Sequence, residues 1–198
     1  MQTLKLGDMN LGTLKYIITN TLIGEITIVW DDSNNIIKQI LLPDNNTKKS
    51  NLGNISFTGV LFESHPNNAI RDLISRIKEA VKGTDVSFDI NKMDLSSLTD
   101  FQRSVLEKQF EIPYGYVTTY KILAQMINKP RSARPVANVL SANPFPILIP
   151  CHRTVLSTWE VGGYAGLRSN YYKKFLLLNE GVVIDGDVVD KQSHFTGE

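Results

Sequence analysis

The chain has one cysteine in 198 residues, Cys151. A single thiol excludes an internal disulfide framework and a thiolate metal cluster, so no metal and no cofactor are expected. A reducing compartment suits a thiol that must stay free. Long apolar runs are also missing: nothing approaches the length that crosses a bilayer, which argues against a membrane partner. Met1-Gln2-Thr3-Leu4-Lys5 has no signal-peptide h-region, and the expected address is the cytoplasm, or the nucleus in a eukaryote. Neither hydrophobic residues (42%) nor charged ones (21%) are in excess, which places the chain among ordinary globular proteins. Its length suffices for one large core or two small ones.

Net charge is close to absent, at +1, but its distribution is uneven. Between Phe101 and Phe175 stand ten Lys/Arg against three acids, Glu107, Glu111 and Glu160, whereas the remainder carries eleven against seventeen. A basic stretch in a neutral protein points to a polyanion on one face; a solvated surface of fluctuating charge is the alternative.

The first half reads as strands followed by a helix. Tyr16–Thr19 and Ile26–Trp30 are β-branched and aromatic, joined by a turn at Leu22–Glu25. Asp31-Asp32-Ser33-Asn34-Asn35 is turn chemistry before a third strand, Ile36–Leu42. Asp44–Asn54 is polar and predicts a loop. Ala69–Val81 places Ile70, Leu73, Ile74, Ile77 and Val81 at helical spacing, with Gly83 as its stop. A short strand over Val86–Ile90 and a connection over Asn91–Leu98 complete an N-terminal αβ domain, residues 1–92.

Residues 93–198 read as mostly helical, so the expected fold class is α+β. Thr99 with Gln102 forms a capping box for a helix carrying Phe101, Val105 and Phe110. Thr118-Thr119 opens a second helix, Tyr120–Ile127. Ser132 is placed to cap a third, running to Ser141, whose Pro135 lies in the tolerant first turn. Two short helices with basic residues opening the second read as a helix-turn-helix, although many helical hairpins bind nothing. Asn143-Pro144-Phe145-Pro146 breaks the pattern, and Ser169–Asn179 forms a last helix capped by Gly181.

Cys151 lies in Ile149-Pro150-Cys151-His152-Arg153. Lone cysteines are commonly small buried hydrophobes, but an adjoining imidazole and guanidinium are what make a thiol nucleophilic. With Ile112-Pro113-Tyr114-Gly115, Thr118-Thr119-Tyr120, Ala133-Arg134, Asn143-Pro144, Gly163-Tyr164 and Leu177-Leu178-Asn179-Glu180-Gly181, this stretch resembles the catalytic domain of O6-alkylguanine-DNA alkyltransferases, in order and nearly in spacing. The resemblance covers about eighty residues.

The resemblance implies a partner and a set of roles. The partner is double-stranded DNA containing O6-alkylguanine, with O4-alkylthymine as a further substrate, held through its minor groove by a monomer. The target base is flipped out of the stack. Cys151 takes the alkyl group, irreversibly and once. His152 acts as general base through a water, Glu180 orients it, and Tyr120 donates a hydrogen bond to the leaving guanine. Arg134 fills the space vacated in the stack, with Ala133 and Asn138 on the same DNA-reading helix. Lys121, Lys129 and Arg131 contact phosphates. Asn143 ties that helix to the nucleophile loop, and Pro146, Thr154, Trp159, Tyr164, Ala165 and Gly166 complete the substrate pocket.

The sequence departs from the family at Pro135, at Ala137-Asn138, at Thr154 where valine is usual, and after Gly166, where the segment to Tyr172 is longer. With no cysteine before Cys151, a second methyl acceptor is excluded. Three rival readings are a damage sensor of the alkyltransferase-like type, which lacks the cysteine, a Cys-His hydrolase unrelated to DNA, and a transcription factor.

Overall fold

The computed structural model describes residues 14–43, 62–63, 65–164 and 171–197. The polar segment expected as a loop at Asp44–Asn54 lies outside them, as do Ala165 and Gly166. Strands β1 (Leu14–Thr21), β2 (Gly24–Asp31), β3 (Ile36–Leu41) and β4 (Phe62–Glu63) form a sheet in the order β3-β2-β1-β4. β1–β2 and β2–β3 are antiparallel and β4 runs parallel to β1. β2 lies in the middle, and Ile26, Thr27, Ile28, Val29 and Trp30 are all fully buried. The β2–β3 turn is held by side chains accepting from the backbone, Asp31 from Ser33 and Asn34 from Ile36.

Helix α1 (Asn68–Lys82) starts at Asn67, whose side chain accepts from the Ile70 amide at 3.1 Å, and buries Ile70, Ile77 and Val81. It stops at Gly83, which is left-handed at φ 93. Only glycine serves there, because a Cβ would lie 2.1 Å from the Asn179 carbonyl oxygen. The strand expected over Val86–Ile90 does not form; residues 84–89 are irregular and lead into a 3₁₀ turn, Ile90–Lys92. A strand needs an edge to pair with. The outer edge of β3 is already used by Asp94, whose amide donates to Ile37, and by Pro144, whose carbonyl accepts from Ile40.

Helix α2 (Asp100–Phe110) has the expected Thr99/Gln102 capping box. A two-residue strand β5 (Thr118–Thr119) runs into α3 (Tyr120–Met126), capped by the Thr119 hydroxyl on the Ile122 amide. α4 (Ala133–Ser141) follows after a turn through Asn128, at φ 58. Ser132 occupies its N-cap position but its side chain makes no capping bond, contrary to expectation. β6 (Thr154–Val155) pairs in parallel with β5, so the residues before Tyr120 lie beside those after Arg153. Helix α5 (Tyr171–Asn179) and a hairpin of β7 (Ile184–Asp185) and β8 (Val188–Val189) complete the α+β architecture.

One apolar core joins sheet, α1 and the helices, from Ile26 and Trp30 through Val105 and Leu123 to Cys151 and Leu176. A smaller cluster of Val117, Val155, Val161, Leu177, Val182 and Val189 lies under the hairpin. Among the described residues no helix is long and apolar enough to cross a membrane.

Candidate active site

The approach to Cys151 is a tightly wound, buried segment. Asn143 bridges it, accepting from the Phe145 amide at 2.9 Å and donating to the Ile149 carbonyl at 3.0 Å. Ile147 is held at φ 75, a costly conformation for a β-branched residue and one concentrated at functional sites. Pro150, at φ −78 and ψ 62, is the centre of an inverse γ-turn in which the Cys151 amide donates to Ile149 at 2.8 Å. Cys151–Arg153 then forms one 3₁₀ turn.

His152 and Glu180, 28 positions apart, meet at 2.8 Å through Nε2 and Oε1, both buried. Arg153 closes on the same carboxylate from Nε and from a terminal nitrogen, each at 2.9 Å, and donates to Ile112 at 2.8 Å. His152 Nε2–H is thereby committed to Glu180, which leaves Nδ1 as the basic nitrogen; it meets no partner among the described residues. Tyr164 stands edge-on to the imidazole, 6.3 Å between centroids, and its hydroxyl faces the thiol.

The electrostatics suit a thiol that is protonated at rest. Burial pushes Cys151 up, with Asn143, Lys173 and Tyr164 opposing. Burial also holds His152 below its ordinary value, although Glu180 pulls it up, so the imidazole is neutral. For Glu180 burial would raise the value, but His152 and Arg153 outweigh it and hold the carboxyl at about 2. Burial, reinforced by Cys151, lifts Tyr120 to about 12, so its hydroxyl remains a proton donor.

These shifts predict acid sensitivity. Glu180 is depressed from 4.5, so its stabilisation is complete above that value and is lost as pH falls toward 2. His152, depressed from 6.5, adds the same sign, because the unfolded chain binds the proton more readily. Calorimetric melting temperatures should therefore fall continuously below pH 6.5, Glu180 accounting for on the order of 3 kcal/mol. A flat profile between pH 6.5 and 3 would contradict this.

Of the residues singled out in the sequence, Cys151, His152, Glu180, Tyr120, Asn143 and Tyr164 come together, and Pro146 is buried in the turn before them. Lys121, Lys129, Arg131, Arg134 and Asn138 are exposed along α3, the turn and α4, with Ala133 half-buried. Trp159 and Thr154, the other described pocket candidates, have partners outside this group. Trp159, at φ 66, packs in the smaller cluster and stacks on His194 at 3.3 Å between centroids. Thr154 turns its hydroxyl to Gln109 of α2.

Sequence reasoning missed Lys173 and Gln109. Lys173 is 1% exposed, donates to the Gly163 carbonyl at 3.3 Å and lies 5.7 Å from the Tyr120 ring centroid. Burial lowers its ammonium to about 8, with Cys151 opposing. The available signal was position: Lys173 shares a helical stripe with buried Leu176 and Leu177, where a charge is out of place. Among the described residues no three His, Cys, Asp or Glu side chains are grouped to hold a metal ion.

Comparison with known proteins bears on the whole arrangement. Residues 100–182 match the family described as 6-O-methylguanine DNA methyltransferase, DNA binding domain. The chain is 37% identical over 163 residues to the methylated-DNA–protein-cysteine methyltransferase of Methanothermobacter thermautotrophicus, covering 82% of each. It is 30% identical over 166 residues to a probable methylated-DNA–protein-cysteine methyltransferase of Acanthamoeba polyphaga mimivirus, covering 84% of this chain and 95% of that one. The fold matches the crystal structure of Mycobacterium tuberculosis OGT in complex with DNA, with a TM-score of 0.67, 23% identity, and 84% and 93% of the two chains covered. With identity of 37% extending over most of both chains, the protein belongs to the methylated-DNA–protein-cysteine methyltransferase family.

Proposed function

We propose that this protein repairs DNA by moving the alkyl group of O6-alkylguanine in duplex DNA onto Cys151, once per molecule. The observation that carries the reading is the buried Cys151 beside a neutral His152 whose Nε2 is fixed by Glu180 at 2.8 Å. His152 Nδ1 accepts the thiol proton through a water, and sulfur attacks the alkyl carbon in line. The carbon–oxygen bond breaks as the carbon–sulfur bond forms. The electron pair goes to guanine O6, and Tyr120 donates a hydrogen bond or its proton to the ring.

Access to O6 requires the nucleotide to leave the duplex. Arg134, exposed on α4, would fill the gap from the minor groove, with Ala133 and Asn138 along the same helix and Lys121, Lys129 and Arg131 on phosphates. O4-alkylthymine would be a second substrate. The rival sensor reading predicts lesion binding without chemistry, and the thiol with its base argues against it.

Intact mass after mixing with duplex DNA carrying one O6-methylguanine tests the reading, beside Cys151→Ser. One methylene gained per molecule, on Cys151 and absent in the control, is the expected result. Tight lesion binding without a gain would leave a sensor; neither would leave no repair function. The thioether cannot exchange like a disulfide, and the added methyl overpacks a buried side chain at about 1–3 kcal/mol. The alkylated protein should therefore melt lower by roughly 2–12 °C. Coincident melting curves for the two forms would overturn that expectation.

A further inference from the structure

We propose that Gln109 is a positioning residue for the nucleophile, a role that rests on the transfer reading above. It lies in the last turn of α2, on the stripe that buries Val105 and Leu106, and is itself fully buried. A buried primary amide must be matched on both ends, and here both ends are matched by the Cys151 turn. Nε2 donates to the Pro150 carbonyl at 2.8 Å, and Oε1 accepts from the Thr154 hydroxyl. One side chain from a distant helix thus spans Cys151-His152-Arg153 from its entry to its exit.

The Pro150 carbonyl is the sensitive point. It also accepts from the Arg153 amide at 2.9 Å, which closes the 3₁₀ turn. It belongs to the Pro150–Cys151 peptide, so holding it fixes the backbone from which the Cys151 side chain projects. The Cys151 amide is already committed to Ile149, so the carbonyl side is where a second restraint can be applied. In-line attack tolerates little misalignment, and displacements near 1 Å cost about a hundredfold in rate. The Thr154 hydroxyl satisfies the other end of the amide and makes no contact with Pro150 of its own.

The test uses Gln109→Met, Thr154→Val and the double variant, each measured for single-turnover transfer at saturating O6-methylguanine duplex, for DNA affinity and for melting temperature. Gln109→Met strands the Thr154 hydroxyl, so it should melt lower as well as react slowly. The double variant strands nothing, because the Pro150 carbonyl keeps Arg153 and the hydroxyl is gone; its melting temperature should return toward wild type. Its transfer rate should stay at least tenfold down with DNA affinity unchanged, since the restraint on Pro150 is still missing. Thr154→Val alone keeps the Pro150 bond and should react within about threefold of wild type while melting lower. A double variant that reacts at the wild-type rate would show that Gln109 merely fills and satisfies the core. Absence of transfer in the wild type measured alongside would overturn the functional reading instead, and this role with it.

Discussion

Glu180→Gln should slow alkyl transfer at saturating DNA by about a hundredfold or more and lower the melting temperature by roughly 10 °C. Both effects follow from one buried carboxylate serving two cations. Glutamine can still accept from His152 Nε2–H, so the ring keeps its orientation, but the imidazolium formed during proton transfer loses its counter-charge. General base catalysis contributes about 10²–10⁴-fold, and a base whose conjugate acid is unsupported forfeits much of it. Arg153, 15% exposed, loses its bidentate partner and keeps a neutral amide, the Ile112 carbonyl and the Tyr114 ring. Stripping one partner from a buried pair costs about 3–5 kcal/mol, which in a chain of this size is roughly 10 °C. Glu180 is buried, whereas the residues proposed to meet DNA are exposed, so DNA affinity should stay unchanged. Rapid-quench single turnovers at a temperature where the variant is folded check the rate; a wild-type rate there would remove Glu180 from the mechanism.

Lys173→Met should act with opposite signs, raising the melting temperature while slowing transfer. The ammonium is 1% exposed and lowered from 10.5 to about 8, so keeping it charged at neutral pH costs on the order of 3 kcal/mol of stability. The sign follows from the depressed value: stability is complete above 10.5 and falls as pH drops through 8. Methionine fills similar volume without a charge to desolvate. What the lysine contributes is positive charge facing Cys151, which favours the thiolate and its transition state. Wild-type transfer should accordingly stop gaining with alkalinity near pH 8, as Lys173 deprotonates, whereas the variant starts slower and continues to rise. A variant that melts lower than wild type, or one that reacts as fast at pH 7, would contradict this account.

What the sequence determined by itself is local. The Thr99/Gln102 box, the Thr119 cap and the Gly83 bonds back to Glu79 and Ala80 are interactions within a few residues of one another, so their spacing is their geometry. The nucleophile signature was legible for the same reason, since Pro150, Cys151 and His152 are contiguous. Glu180 was reachable because the motifs of a known family name it, not through any local pattern. What lay beyond the sequence is long-range. Val86–Ile90 has strand-like residues but no vacant edge to pair with, and vacancy is decided by Asp94 and Pro144. Trp159 turned to His194, and Thr154 to Gln109, because a side chain's direction depends on what the folded chain brings opposite it. Gln109 and Lys173 lie on the apolar stripes of two helices, but only tertiary packing shows them buried against the turn and beside the thiol. Burial of a polar group is decided by partners tens of positions away, and it is that burial which turns an amide into a restraint and a lysine into a tuned charge.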